Sequence, residues 1–344
     1  MKHSHPGAFI VSTGRCGSTL MSELVNEHPR VLSVSEFFMS VVSRAFIYKN
    51  PTGKQFWSVL EKPAPGAAKT FDPNQNPKEF LYRFGPRAAF DRDNLPPILF
   101  VTLPFISDDP DALFFTLKPV IEARPRAPLA DHYRFLFEWL ADYAGKEIWI
   151  ERSGGSLAMV RSLYKMYPDA RYIHVFRDGR DVALSINNHP SMRLFAHNWL
   201  RMRKFGINLL RPPFELGTNK LIAWLEPFVA PFANLEHQLA TPLEPDEIGA
   251  FWSALIEVGH ENLAKIPAAQ RMDIRYEDVL ADPPTVLREF IRFVDPGLID
   301  EDWIARAAQI PTAGRSDWQS LPAGERNRLV KACEPGLELL GYQM

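Results

Sequence analysis

The stretch from Ala8 to Thr19 narrows what this chain can become more than any other. Ala8-Phe9-Ile10-Val11 is an apolar run of strand formers, and it breaks at Ser12-Thr13-Gly14. Beyond the break, Leu20, Leu24 and Val25 recur at helical spacing until His28-Pro29, which predicts a helix from Ser18 to His28. Strand, glycine loop and helix in direct succession form the unit from which α/β sheets are built. Further strands are predicted at Val31 to Val34, Glu147 to Ile150, Arg171 to Phe176 and Met272 to Ile274, separated by segments of helical periodicity. Strands alternating with helices imply a parallel sheet covered on both faces.

Two stretches interrupt this alternation. From Tyr48 to Pro128 the chain is rich in proline and shows only short periodic pieces, such as Lys78 to Phe84. From Pro190 to Pro245 it carries Trp199, Phe205, Phe214, Trp224, Phe228 and Phe232 among prolines, and reads as helices and loops that would cover a site. No repeat, low-complexity tract or Gly/Ser linker divides the 344 residues, so one domain over 1–344 is expected, with insertions at 48–128 and 190–245. The fold class is therefore α/β, a P-loop-type parallel sheet flanked by helices and interrupted by helical and loop insertions.

Charge and cysteine content exclude several functions. Lys plus Arg number 39 against 41 Asp plus Glu, so no overall field draws in nucleic acid or an anionic membrane, and any anion site must be local. Apolar runs fall well short of the roughly 20 residues a bilayer span needs, so neither a signal peptide nor a membrane span is expected. Cys16 and Cys333 are too few for a disulfide framework or a four-thiolate metal site, which suggests a reducing, cytoplasmic setting. The 9 histidines lack metal-ligand spacing, and no metal is expected. Cys16 stands at a helix N-terminus that can lower a thiol pKa, but it is not read as a nucleophile.

Gly14, Arg15, Cys16, Gly17, Ser18 and Thr19 lie between the first strand and first helix, where backbone N–H groups and the helix dipole hold phosphates. Phosphate-transfer enzymes of the P-loop type need a Lys before the Ser/Thr, and Ser18 occupies that position. A strand ending in a Mg²⁺-binding Asp is also missing, because Ile173-His174-Val175-Phe176 runs into Arg177 first. Between Arg171 and Arg211, basic residues outnumber acidic ones, around a strand, a charged turn and a helix. Arg177 at that strand's end and Ser185 eight residues on suggest a second anion site there.

With both segments quoted, the chain resembles the sulfotransferases that use 3′-phosphoadenosine 5′-phosphosulfate (PAPS), the tyrosylprotein, carbohydrate and bacterial branches above all. Gly14-Arg15-Cys16-Gly17-Ser18-Thr19-Leu20 is similar to the family's 5′-phosphosulfate loop, and Phe176-Arg177-Asp178-Gly179-Arg180 with Ser185 to its 3′-phosphate site. Ile274-Arg275-Tyr276-Glu277-Asp278 before Asp282-Pro283, Ala313-Gly314-Arg315-Ser316-Asp317-Trp318 and Leu340-Gly341-Tyr342 resemble its later motifs, in the family's order. The resemblance implies Glu36 as general base, and Arg152 where the family has a catalytic Lys, in Trp149-Ile150-Glu151-Arg152-Ser153-Gly154. It implies that Arg15 and Arg152 face the leaving phosphate oxygen, and that Arg177 and Ser185 hold the 3′-phosphate, with Tyr276, Arg315 and Ser316 nearby. For Arg177 a plain ion pair with Asp178 or Asp181 competes with this role. Tyr276 reads equally as an aromatic closing the sheet, and Trp318 as an adenine cover or a packing residue. The resemblance also implies PAPS as co-substrate and transfer of its sulfuryl group to a hydroxyl or amine. A nucleotide kinase or hydrolase and a non-catalytic nucleotide-binding module are the competing functions; the acceptor and the oligomeric state are not readable from the sequence.

Overall fold

The computed structural model describes residues 6–63, 80–215, 217–218, 235–312 and 318–343. Its centre is a parallel sheet of β1 (Ala8–Ser12), β2 (Val31–Ser35), β3 (Ile148–Gly154), β4 (Arg171–Phe176) and β5 (Arg271–Arg275), in the order β2-β3-β1-β4-β5. Every residue of β1 and β2 is buried, so both faces of the sheet are covered at these strands, as a parallel sheet favours, whereas the edge strand β5 is largely exposed. β1 stands between β3 and β4, with Ser12 paired to Gly154 and Val11 to His174.

Around the sheet run α1 (Ser18–Asn26), α2 (Phe37–Ser40), α3 (Gly53–Glu61), α4 (Thr102–Ile106), α5 (Pro110–Glu122), α6 (Leu129–Tyr143) and α7 (Val160–Met166). After β4 come α8 (Gly179–Asn187), α9 (Pro190–Arg203), α10 (Leu235–Ala240) and α11 (Pro245–Leu263). After β5 come α12 (Tyr276–Ala281), α13 (Pro283–Val294), α14 (Glu301–Ala307) and α15 (Ala323–Leu339). None of the helices among the described residues is long and apolar enough to cross a membrane.

All five expected strands form, and the departures have physical causes. β3 continues past the expected Ile150 to Gly154, because Glu151, Arg152 and Ser153 find partners inside the protein. Some of the prolines that obscured the inserts begin helices: Pro110, Pro190 and Pro245 each stand first, where a missing N–H costs nothing. Of Lys78 to Phe84, the described part 80–84 is not a helix; Leu81 N–H donates to Phe100 O at 2.9 Å. Trp224, Phe228 and Phe232 lie outside the described residues.

Behind the carboxyl end of β4, α8, α11 and α15 meet around one indole. Trp252 of α11 is buried, and both Gly179 of α8 and Gly336 of α15 approach it. A Cβ on Gly179 would lie 2.2 Å from the Trp252 ring. The indole is rigid and enclosed, so it cannot give way as a flexible side chain would. Gly179→Ala is therefore expected to lower stability by about 1–3 kcal/mol, although alanine is the better helix former. Urea unfolding followed by circular dichroism checks this, and an unshifted midpoint would show that α8 can move off Trp252.

Candidate functional site

Parallel strands end together, and here all five carboxyl ends lie along one edge of the sheet. The connection leaving β1 goes to β2 beyond β3, whereas β4 leads the other way to β5. The crevice between β1 and β4 is thus the topological switch point, where open α/β sheets bind ligands.

The loop after β1 turns there through three left-handed residues, Gly14 (φ 78°), Arg15 (φ 59°) and Gly17 (φ 88°). Its own contacts fix it: Gly14 N–H donates to Ser12 Oγ at 3.2 Å, and Cys16 Sγ–H to Val175 O of β4 at 3.1 Å. Burial pushes the Cys16 thiol above its ordinary pKa, against any activation by the helix terminus. Gly17 caps α1 without a side chain, leaving the helix's first N–H groups to other acceptors. A Cβ on Gly17 would stand 2.1 Å from the Tyr276 ring, so the glycine is required by close packing as well as by its φ. Ser18 is buried and Thr19 exposed at the start of α1.

Arg15 reaches from this loop to the second segment, its Nε donating to Ser185 Oγ of α8 at 3.1 Å. Residues 170 apart in sequence thereby frame one crevice. Arg177 makes the ion pair with Asp181, at 3.3 Å, and also lies over the Tyr276 ring at 5.0 Å, so its guanidinium stands beside the loop at Gly17. Arg180 pairs with Asp178 and stacks on Trp318 at 4.2 Å from the ring centre. Arg315 and Ser316 lie outside the described residues.

Glu277 was not singled out from sequence, yet it ties three segments together. Its Oε1 accepts from Asp178 N–H at 3.1 Å and its Oε2 from the Tyr342 hydroxyl at 2.9 Å. Arg275 covers Tyr342 at 4.2 Å. Adjacency of a carboxylate to the Arg-Tyr pair was the available signal, but its partners lie 99 and 65 residues away.

On the other flank of the loop stands Glu36, at the turn between β2 and α2, with φ 53°. Its backbone N–H donates to Arg152 O at 2.7 Å, its Oε1 is ion-paired with Arg152 Nη1, and its Oε2 accepts from Gly154 N–H at 3.0 Å. Arg152 is 2% exposed, and its Nη2 donates to Ser35 Oγ at 2.9 Å. Glu36 and Arg152 are therefore brought together, the guanidinium holding the carboxylate. Two methionines flank this corner: Met192 of α9 packs on Gly14, and Met39 of α2 lies near Gly155. The second insert does reach the loop, at its first turn.

Next to Arg152, the Glu151 carboxyl is fully buried on the opposite side of β3. Its Oε1 accepts from Ser153 Oγ at 2.5 Å, and its Oε2 has no hydrogen-bond partner among the described residues. Burial above all, then the nearby Glu36 charge, raises its pKa to about 8, against Ser153, Phe38 N–H and Arg152, which lower it. Among the described residues no group of three or more His, Cys, Asp or Glu is placed to hold a metal ion.

No protein-family model matches the chain, and no curated protein matches its sequence. Among solved structures it is similar to the sulfotransferase domain of the Synechococcus PCC 7002 olefin synthase, at 15% identity and a TM-score of 0.44, covering 100% of this chain and 97% of that one. A sulfotransferase from Alicyclobacillus acidocaldarius aligns at 15% identity and a TM-score of 0.42, over 99% and 98% of the two chains. One from Mycobacterium avium aligns at 14% and 0.47, over 99% of this chain and 78% of that one.

The buried Glu151 gives a test of the site's electrostatics. A carboxyl protonated up to about 8 in the folded protein, but ionised from the ordinary 4.5 upward in the unfolded chain, contributes stability in full below pH 4.5. That contribution is lost progressively as pH rises to about 8. Glu151→Gln removes this loss, so urea midpoints of wild type should fall relative to the variant between those limits. Parallel midpoints would mean that the folded protein carries Glu151 ionised.

Proposed function

We propose that this chain is a PAPS-dependent sulfotransferase, transferring a sulfuryl group to a hydroxyl or amine of an acceptor. One observation carries the reading: the Arg15 Nε to Ser185 Oγ contact joins two anion-binding segments at the switch point, while Glu36 offers a carboxylate on the other side of Gly14. The motifs quoted from the sequence support it independently.

The residues fit PAPS in a definite arrangement. The loop from Gly14 to Thr19, capped by a glycine with no competing side chain, suits the 5′-phosphosulfate. Arg177 and Ser185 suit the 3′-phosphate, with Tyr276 between Arg177 and Gly17. Arg315 and Ser316 are assigned to the same end on the sequence resemblance alone. When bound, PAPS supplies an electrophilic sulfur whose leaving group is a phosphate oxygen.

Glu36 then takes the acceptor proton as the acceptor oxygen or nitrogen bonds to sulfur. The sulfur–oxygen bond to the phosphate breaks, and its electron pair stays on that oxygen. Arg15, the N–H groups of the loop and the α1 dipole stabilise the resulting charge. Arg152 serves the reaction by holding Glu36, which it engages directly. Ser18 in place of a P-loop Lys disfavours ATP phosphoryl transfer. We assign the shaping of the acceptor cleft to the inserts at 48–128 and 190–245, within one domain. The two buried thiols fit a reducing, cytoplasmic setting.

Calorimetric titration with adenosine 3′,5′-bisphosphate (PAP) beside ATP and AMP, without Mg²⁺, tests the donor class. Preferential PAP binding is expected; equal or absent binding would overturn the reading. Arg177→Ala and Ser185→Ala should each weaken PAP binding by roughly 10- to 100-fold, the worth of one hydrogen bond to a charged group, and leave AMP binding largely intact. Glu36→Gln should lower PAPS turnover by about 10² to 10⁴ with PAP affinity retained. Near-normal turnover in that variant would remove Glu36 as base.

A further inference from the structure

Glu36 is held by more than its ion pair. It occupies the N-cap position of α2 in a left-handed conformation, and its side chain makes no capping bond. A non-glycine residue with that φ persists only where its surroundings impose it, at a cost of order 1–3 kcal/mol. The restraint comes from β3. Ser153 Oγ accepts from Phe38 N–H at 3.0 Å and from Met39 N–H at 3.4 Å, the second and third residues of α2. Ser153 in turn donates to Glu151 Oε1 at 2.5 Å, and Phe38 N–H lies 3.4 Å from the same oxygen.

Glu151 itself belongs to no ligand-facing surface. It is paired in register with Phe9 of β1 and Val34 of β2, and the charged groups that act on it are Glu36 and Arg152. A buried carboxyl with one unpartnered oxygen is costly, and a leucine there would pack the core more cheaply. What the carboxyl supplies is an acceptor at a fixed point. With it, the Ser153 hydroxyl hydrogen turns toward β3 and the lone pairs turn toward α2. The capping of α2 is thus done by the strand, which leaves the Glu36 carboxylate available for Arg152 Nη1, Gly154 N–H and the acceptor.

We infer that Glu151 is a positioning residue for Glu36: acting through Ser153, it anchors the first turn of α2 to β3 and holds Glu36 in the left-handed turn that brings its carboxylate beside Gly14. The role in turnover rests on Glu36 being the base; the anchoring does not.

The experiment compares Glu151→Leu, Glu151→Gln and Ser153→Ala in the full chain, using PAPS with naphthol as acceptor and PAP release as readout. Misplacing a base lowers kcat, so Glu151→Leu should lose about tenfold or more in kcat, with KM for PAPS and PAP affinity changed less than about twofold. Glu151→Gln retains the Oε1 acceptor and should recover most of that loss. Amide hydrogen exchange at Phe38 and Met39 should accelerate in the leucine variant and stay slow in the glutamine one. Ser153→Ala, a one-atom deletion, should reproduce the leucine pattern and keeps the test open if Glu151→Leu does not fold. Equal kcat in the Leu and Gln variants, or unchanged exchange at α2 in both Glu151→Leu and Ser153→Ala, would overturn the inference. A wild type that binds no PAP overturns the proposed function instead, and the exchange data then decide the anchor alone.

Discussion

A guanidinium in the middle of a parallel sheet cannot shed its proton, so it must be given partners or not be there. Arg152 sits in β3 between β2 and β1, 2% exposed, and much of the site follows from satisfying it. Its two terminal nitrogens diverge, one toward Ser35 Oγ at the end of β2 and the other toward the carboxylate of Glu36. For Glu36 to supply that charge, the chain must turn sharply after Ser35, and the left-handed backbone of Glu36 is that turn. Leaving the pair half-made would strand a charge in a site with little water, which costs several kcal/mol. The strain in one residue is small beside that.

The other half of the site is set by close approach. Gly17 gives up its side chain to the Tyr276 ring, and Arg177 lies on the same ring. Glu277, the next residue, accepts from Asp178 and from Tyr342 near the C-terminus. The ends of β1, β4 and β5 are in this way cross-braced by one Tyr-Glu pair, and Arg15 closes the brace from the loop to Ser185. These contacts are long-range and few, so the geometry of the crevice depends on the register of the sheet beneath it.

The sequence makes apolar strands easy to recognise and charged ones hard. β1 is legible as a strand because both of its faces are apolar up to Ser12, and β2 and β4 because β-branched, aliphatic and aromatic residues dominate them. The last four residues of β3 are not, since Glu151-Arg152-Ser153-Gly154 has the composition of a turn until its partners are known. In 48–128, Pro110 opens its helix at the first turn while Pro119 lies inside the same helix, so the number of prolines alone did not mark where helices end. Among the candidate residues, Arg15, Ser185, Arg177 and Tyr276 converge on one crevice, and Glu36 meets Arg152. Which cation would face which group was not legible: Arg152 pairs with Glu36, a choice decided by side-chain direction across 116 residues. Glu277 and Ser153 were invisible for the same reason, since each acts through neighbours brought together only by the sheet.

Arginine at position 152 also bears on how charge is divided across the proposed reaction. An ammonium on a flexible stem can swing from a carboxylate to a phosphate oxygen, whereas a planar fork engaged at both ends cannot. With Nη2 on Ser35 and Nη1 on Glu36, Arg152 would serve the acceptor side of the reaction we propose. In that reaction the leaving oxygen would fall to Arg15, the loop N–H groups and the dipole of α1. Such a division separates the cation that steadies the base from the cation that stabilises the leaving group. It would make the nine-residue α1 and the left-handed Arg15 responsible for the charge that develops as the sulfur–oxygen bond breaks in the proposed reaction.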